Sequence, residues 1–162
     1  MKKLLQLTTV LSWINIIIGS ILVLGGLLLT MVSPDAQTIL VSVVLTGSIV
    51  LHSYATFQLR KSIIHPEIPL GKQTPIGIRF VGTLALLFGV INITNAIVIM
   101  QHTEDVIKQI KFPIPTKDIN LKSIVRAAGI ISILFSLCVV LNVLLSFSLL
   151  RMYLVKKKSE KN

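Results

Sequence analysis

A single histidine lies inside a long apolar stretch of this sequence. The stretch reads SIVLHSYATFQLRK over residues 48–61, and the histidine is His52. An ionisable side chain within an apolar helix is costly, so by default it indicates a proton pathway or a ligand site. A neutral imidazole costs less to bury than a carboxylate or an ammonium group, and hydrogen bonds from other helices can stabilise it. We therefore expect His52 to form structural hydrogen bonds, with a proton-linked or ligand-binding role as the alternative.

Asparagines occur at matching depths in other apolar stretches. Asn15, His52 and Asn142 each lie eight or nine residues from the polar end of their stretch, which is roughly 12–14 Å along an α-helix. Polar side chains at one depth on facing helices can hydrogen-bond to one another. The sequence thus predicts a buried polar layer of Asn15, His52 and Asn142, and Asn92, which lies deeper, completes the candidate set.

Residues that could support catalysis or bind a metal do not converge. The six acidic residues all fall outside the apolar stretches, so those stretches contain no carboxylate for acid–base chemistry. His102 lies near Glu104 and Asp105, but this group matches metal ligands by residue type only. The one cysteine, Cys138, is expected to pack as a small apolar side chain. We predict that the protein is not an enzyme and has no catalytic residues, metal site or cofactor.

The composition requires a membrane environment for the elements that position these residues. Hydrophobic residues make up 53% of the chain and charged residues 14%, against roughly 25% charged in soluble domains. Four continuous apolar stretches each exceed the roughly 20 residues that cross a bilayer as a helix. The sequence predicts one transmembrane domain over residues 1–162, with spans at about 7–32, 38–60, 76–100 and 123–151.

Small and polar residues recur at steps of three and four in every predicted span. Glycines on these stripes allow close approach of helix backbones, and we expect this role for Gly19, Gly26, Gly82 and Gly89. The heptad spacing predicts an all-α integral membrane fold, a left-handed antiparallel four-helix bundle. Between the third and fourth spans, TEDVIKQIKF (residues 103–112) predicts a short amphipathic helix in the second outer loop, which lies on the membrane surface or, as the alternative, continues the third span.

The positive charges are distributed unevenly among the predicted loops. Of the 16 Lys and Arg residues, 11 lie at the two termini or around the middle loop, and the other five lie around the second outer loop. Lys and Arg are enriched on the cytoplasmic side of membrane proteins. We expect a multi-pass protein of the inner (plasma) membrane with both termini in the cytoplasm. The basic excess favours contact with membrane lipids, and we expect no nucleic-acid partner.

The middle region resembles a family of small membrane proteins. The segment FQLRKSIIHPEIPLGKQTPIGIRFVG, residues 57–82, is similar to the middle loop of small uncharacterised bacterial four-span inner-membrane proteins. In that family a leucine–arginine–lysine helix end leads through a short loop containing glycine or proline into the third span. The resemblance implies the four-span layout, but it implies no activity and no site residues.

These features predict a non-enzymatic multi-pass protein that acts through a membrane-protein partner or as a homo-oligomer. Small loops and polar helix stripes suit a regulatory, accessory or immunity-type component. The alternative is a small oligomeric transporter or channel subunit with the polar layer around His52 at its centre.

Overall fold

The computed structural model describes residues 2–32, 39–109 and 120–159, and these residues form helices joined by short irregular segments. In chain order the elements are α1 (Lys2–Val32), a π-helical segment (Leu40–Leu45), α2 (Thr46–Ile64), α3 (Thr74–Gln101), α4 (Thr103–Gln109) and α5 (Leu121–Ser159). None of the described residues lies in a β-strand. For this part of the chain the all-α prediction is confirmed.

Three of the described helices are long and apolar enough to cross a membrane: α1 over Lys2–Leu28, α3 and α5. They contain most of the predicted spans at 7–32, 76–100 and 123–151. The predicted second span, 38–60, is not among them. Its described residues are divided between the π segment and α2, and α2 includes Arg60, Lys61 and several hydroxyl side chains that lower its hydropathy.

The π segment changes the helical repeat ahead of α2. The Thr46 N–H is bonded to the carbonyl of Val41, five residues earlier, whereas an α-helix bonds residues four apart. The backbone stays helical across the junction, since Leu45 has φ −72° and ψ −46°. The extra residue rotates the side chains before the junction relative to those after it. A single heptad stripe therefore does not run through residues 39–64.

A short helix, α4, follows α3 after the turn residue His102. Val106 and Ile107 of α4 are half-buried, whereas Glu104 is exposed and forms an ion pair with Lys122 at the start of α5 (Oε1–Nζ 2.7 Å). The predicted amphipathic helix therefore corresponds to Thr103–Gln109. The remaining residues of TEDVIKQIKF lie outside the described part of the chain.

The apolar core consists of two clusters at different heights along α2, α3 and α5. The first contains Leu45, Ile49, Ala85, Phe88, Phe135, Val139 and Val143. The second contains Leu5, Leu59, Leu70, Ile78, Leu149 and Leu150. On each of the three helices a gap in sequence separates the two clusters, and His52, Gly82 and Ser146 fall in these gaps. The core thus has a polar level between two apolar levels.

Candidate functional site

His52 is buried at this polar level and contacts α5. Its side chain is 1% exposed, and its Nε2 atom lies 2.8 Å from the Ser146 hydroxyl oxygen. The Ser146 hydroxyl donates its only proton to the backbone carbonyl of Asn142 in a short hydrogen bond. Because that proton is used, the Ser146 oxygen accepts a hydrogen bond from Nε2–H of His52 in this arrangement.

Asn142 connects three helices at the same level. Its Oδ1 atom accepts a hydrogen bond from the Ser12 hydroxyl of α1 (3.2 Å). Its Nδ2 group donates to the Ser53 hydroxyl of α2 (3.4 Å). Ser12, Ser53 and Asn142 are fully buried. The polar layer of the structure therefore consists of Ser12, His52, Ser53, Asn142 and Ser146, and the term has this meaning from here on.

Asn15 is buried beside the polar layer but is not bonded into it through its carbonyl. It lies one turn after Ser12 on α1 and is 1% exposed. Its Oδ1 atom has no hydrogen-bond partner among the described residues. A buried acceptor without a partner costs about 1–3 kcal/mol. The Oδ1 atom of Asn15 is therefore an acceptor that is available to a hydrogen-bond donor.

Gly82 of α3 supplies the surface on which the His52 ring packs. A β-carbon at Gly82 would lie 2.9 Å from Cε1 and Nδ1 of His52 and 2.7 Å from Cε1 of Phe147. The His52 and Phe147 rings also meet edge to face, with centroids 6.1 Å apart. The absence of a side chain at residue 82 thus allows both rings to occupy this level.

Asn92 belongs to a separate polar cluster. Its Nδ2 group donates to the hydroxyls of Ser132 and Ser136 on α5, at 2.7 Å each. Ser132 and Ser136 precede Asn142 by ten and six residues, so this cluster lies about 9–15 Å from the polar layer along α5. The structure therefore brings His52 and Asn142 together, with Asn15 beside them, and places Asn92 apart.

Gly19 and Gly89, two of the other predicted packing glycines, also lie close to side chains of a neighbouring helix. A β-carbon at Gly19 would lie 3.0 Å from Cγ2 of Val50, and one at Gly89 would lie 2.8 Å from Cγ2 of Val140. Gly26 is buried. By contrast, nothing lies within 4 Å of a β-carbon placed at Gly77, so buried and open glycines occur on the same helix.

Sequence reasoning missed two hydroxyl groups, Ser53 and Ser136. Ser53 directly follows His52, and adjacent residues differ by about 100° around a helix, so a narrow stripe through His52 omits it. Ser136 lies four residues after Ser132 and was overlooked although the i, i+4 spacing puts both on one face. The sequence pattern also did not indicate Gly129, where a β-carbon would lie 2.6 Å from Cγ of Met100.

Some of the ionisable side chains outside the core form ion pairs on the surface. The Lys122 ammonium group, through its hydrogen bond and its charge, holds the pKa of Glu104 below its usual range. In the loop after α2, Nδ1 of His65 lies 3.1 Å from Oε1 of Glu67. Within residues 2–32, 39–109 and 120–159, no three His, Cys, Asp or Glu side chains are grouped so that they could bind a metal ion.

The chemistry open to the polar layer is therefore hydrogen-bond donation and acceptance between helices. No known family model, curated protein or solved structure matches this chain.

Proposed function

We propose that this chain is a non-enzymatic, multi-pass membrane protein that acts by binding other membrane proteins, as a regulatory, accessory or immunity-type component. The observation that carries the proposal is the closed polar layer. Ser12, His52, Ser53, Asn142 and Ser146 are each at most 1% exposed, and none of them lines the most prominent surface clefts of the described residues. A polar group without access to solute serves packing rather than turnover.

The proposed architecture is an antiparallel, left-handed bundle of four spans. Contacts between α3 and α5 support the antiparallel arrangement, because residue numbers rise on one helix as they fall on the other: Gly82 meets Phe147, Gly89 meets Val140 and Met100 meets Gly129. On α1 and α2, Trp13 meets Phe57 and Gly19 meets Val50 in the same opposed order. The left-handed sense rests on the heptad spacing of the small residues.

The second span of this architecture comprises the π segment and α2 together. The helical run from residue 39 to 64 extends roughly 35 Å, enough to cross a hydrocarbon core about 30 Å thick. The π segment contributes Leu40, Val41, Val43, Val44 and Leu45 to that run. Arg60 and Lys61 then lie at its end, where basic side chains reach the headgroups.

We place both termini and the loop between α2 and α3 on the cytoplasmic side of the inner membrane. The charge distribution supports this orientation. Helix α5 contains 39 residues, about 58 Å of helix, so its basic end extends beyond the hydrocarbon core. Lys156, Lys157 and Lys158 occupy that end.

A small oligomeric transporter or channel subunit remains the second candidate. It is favoured by the buried acceptor without a partner on Asn15, and by the π segment, since π turns within helices often mark functional sites. In that case the polar layer would open to solute in an assembly of several copies.

Partner capture tests the first proposal. A chromosomally tagged chain would be crosslinked in intact membranes and purified, and the captured proteins would be quantified against a tagged multi-pass protein of similar size and expression. Specific, reproducible enrichment of one membrane protein is expected. Two results together would favour the second candidate instead: no protein is enriched with the tagged chain, and the purified chain transports solute in liposomes only while His52 is present.

A further inference from the structure

A groove with two arginines runs between α3 and α5 at the end of the helices that carries the basic residues. Its volume is about 580 Å³. Arg79 and Thr83 line it from α3, and Phe147, Leu150 and Arg151 are among the residues that line it from α5. Residues 79 and 83 are one helical turn apart, as are 147 and 151, so each helix presents one continuous face to the groove. The groove thus combines two positive charges with an apolar wall.

The two arginines have no counter-charge in the described part of the chain. Both are exposed, and the three ion pairs of the described residues involve other side chains. Two guanidinium groups beside one groove raise its positive potential and attract an anion. Guanidinium groups also match phosphate geometry through paired N–H donors.

We propose that this groove binds an anionic phospholipid. The phosphate lies between Arg79 and Arg151, and an acyl chain passes Phe147 toward the middle of the bilayer. The apolar wall favours a lipid over a soluble anion, since a soluble anion gains nothing from apolar contact. Basic pockets between transmembrane helices on the cytoplasmic side suit such headgroups. This inference rests on the proposed membrane insertion and antiparallel pairing of α3 and α5.

The test uses the purified full chain in neutral detergent micelles, titrated with short-chain phosphatidylglycerol, phosphatidylcholine or inorganic phosphate. Binding is measured by native mass spectrometry. The variant is the double substitution Arg79→Gln/Arg151→Gln, and the control is Lys2→Gln/Lys3→Gln, which removes the same charge from exposed positions on α1. We expect phosphatidylglycerol affinity to fall about 25-fold in the variant, equivalent to about 2 kcal/mol, and less than about 2-fold in the control.

A second double variant, Arg79→Lys/Arg151→Lys, keeps the charge and gives a reading if the glutamine variant does not fold. We expect it to lose affinity by an intermediate factor, because lysine lacks the paired donors. Equal affinity of the wild type for the two lipids, equal losses in variant and control, or displacement of the lipid by inorganic phosphate at similar concentration would each overturn the proposal. The assay contains no partner protein, so a negative result leaves partner capture unaffected, and a chain without a partner can still prefer the anionic lipid.

Discussion

The contact between Gly82 and the His52 ring leads to a sharp prediction about stability. In Gly82→Ala the new β-carbon would lie 2.7 Å from Phe147 Cε1 and 2.9 Å from two atoms of the His52 ring. Ordinary contacts between carbon atoms are about 3.5–4.0 Å, so the neighbours must move by roughly 0.6–0.8 Å or more. The Phe147 ring can rotate, but the hydrogen bond to Ser146 holds the His52 ring.

The matched control is Gly77→Ala on the same helix, where the β-carbon would have no neighbour within 4 Å. Both substitutions gain the helix propensity of alanine over glycine, up to about 1 kcal/mol. Only Gly82→Ala incurs overpacking, which costs typically about 1–3 kcal/mol. We therefore expect the free energy of unfolding of Gly82→Ala to be about 1–3 kcal/mol lower than that of Gly77→Ala.

The assay is reversible unfolding of the purified protein in mixed micelles, followed by circular dichroism as the fraction of denaturing detergent rises. Tryptophan fluorescence gives a second probe, because the single tryptophan, Trp13, contacts Phe57 on α2 (ring centroids 5.3 Å apart). If the two variants unfold within about 0.5 kcal/mol of each other, the His52 ring does not pack on residue 82 and the assigned rotation of α3 is incorrect.

Three further predictions address the polar layer, the surface ion pair and the topology. His52→Gln should destabilise the chain less than His52→Ala, because an amide still donates a hydrogen bond to Ser146 and a membrane hydrogen bond contributes on average about 0.6 kcal/mol. Equal unfolding midpoints of the two variants, or a folded His52→Gln chain with no cellular function, would contradict the structural role of His52. Lys122→Gln should raise the pKa of Glu104 toward its ordinary value, as read by NMR titration, since the ion pair depresses that pKa in the folded chain. The contribution of the ion pair to stability is present at neutral pH and is lost as the pH falls through the pKa of Glu104 in the folded chain. An unchanged pKa in the variant would exclude the ion pair. Reporters fused to the C-terminal tail and to the loop between α2 and α3 should report the cytoplasm, and one near Lys111 the outside; a tail reporter outside would reverse the orientation.

The sequence predicts the depth of the polar side chains along their helices, but not the hydrogen bonds that they form. Depth along a helix follows from counting residues, so His52 and Asn142 could be assigned to one level before their contacts were known. Their bonding partners could not be assigned in the same way. Ser53 was missed, and Asn142 bonds to Ser12 and Ser53 rather than to His52 directly. Which hydroxyl faces which amide depends on the rotation of each helix about its axis.

The sequence by itself determined the all-helical class and three of the four predicted apolar spans, because an apolar run that satisfies its own backbone hydrogen bonds is a local property. Its spacing of small residues also predicted packing roles for Gly82 and Gly89, where a β-carbon would lie 2.7 Å and 2.8 Å from the nearest side-chain atom of another helix. The tertiary structure decided that the His52 ring occupies the space left at residue 82, that Asn15 keeps an unbonded acceptor and that Asn92 bonds in a separate cluster. These outcomes depend on the relative rotation and height of helices distant in sequence, which packing between side chains decides and no single segment encodes.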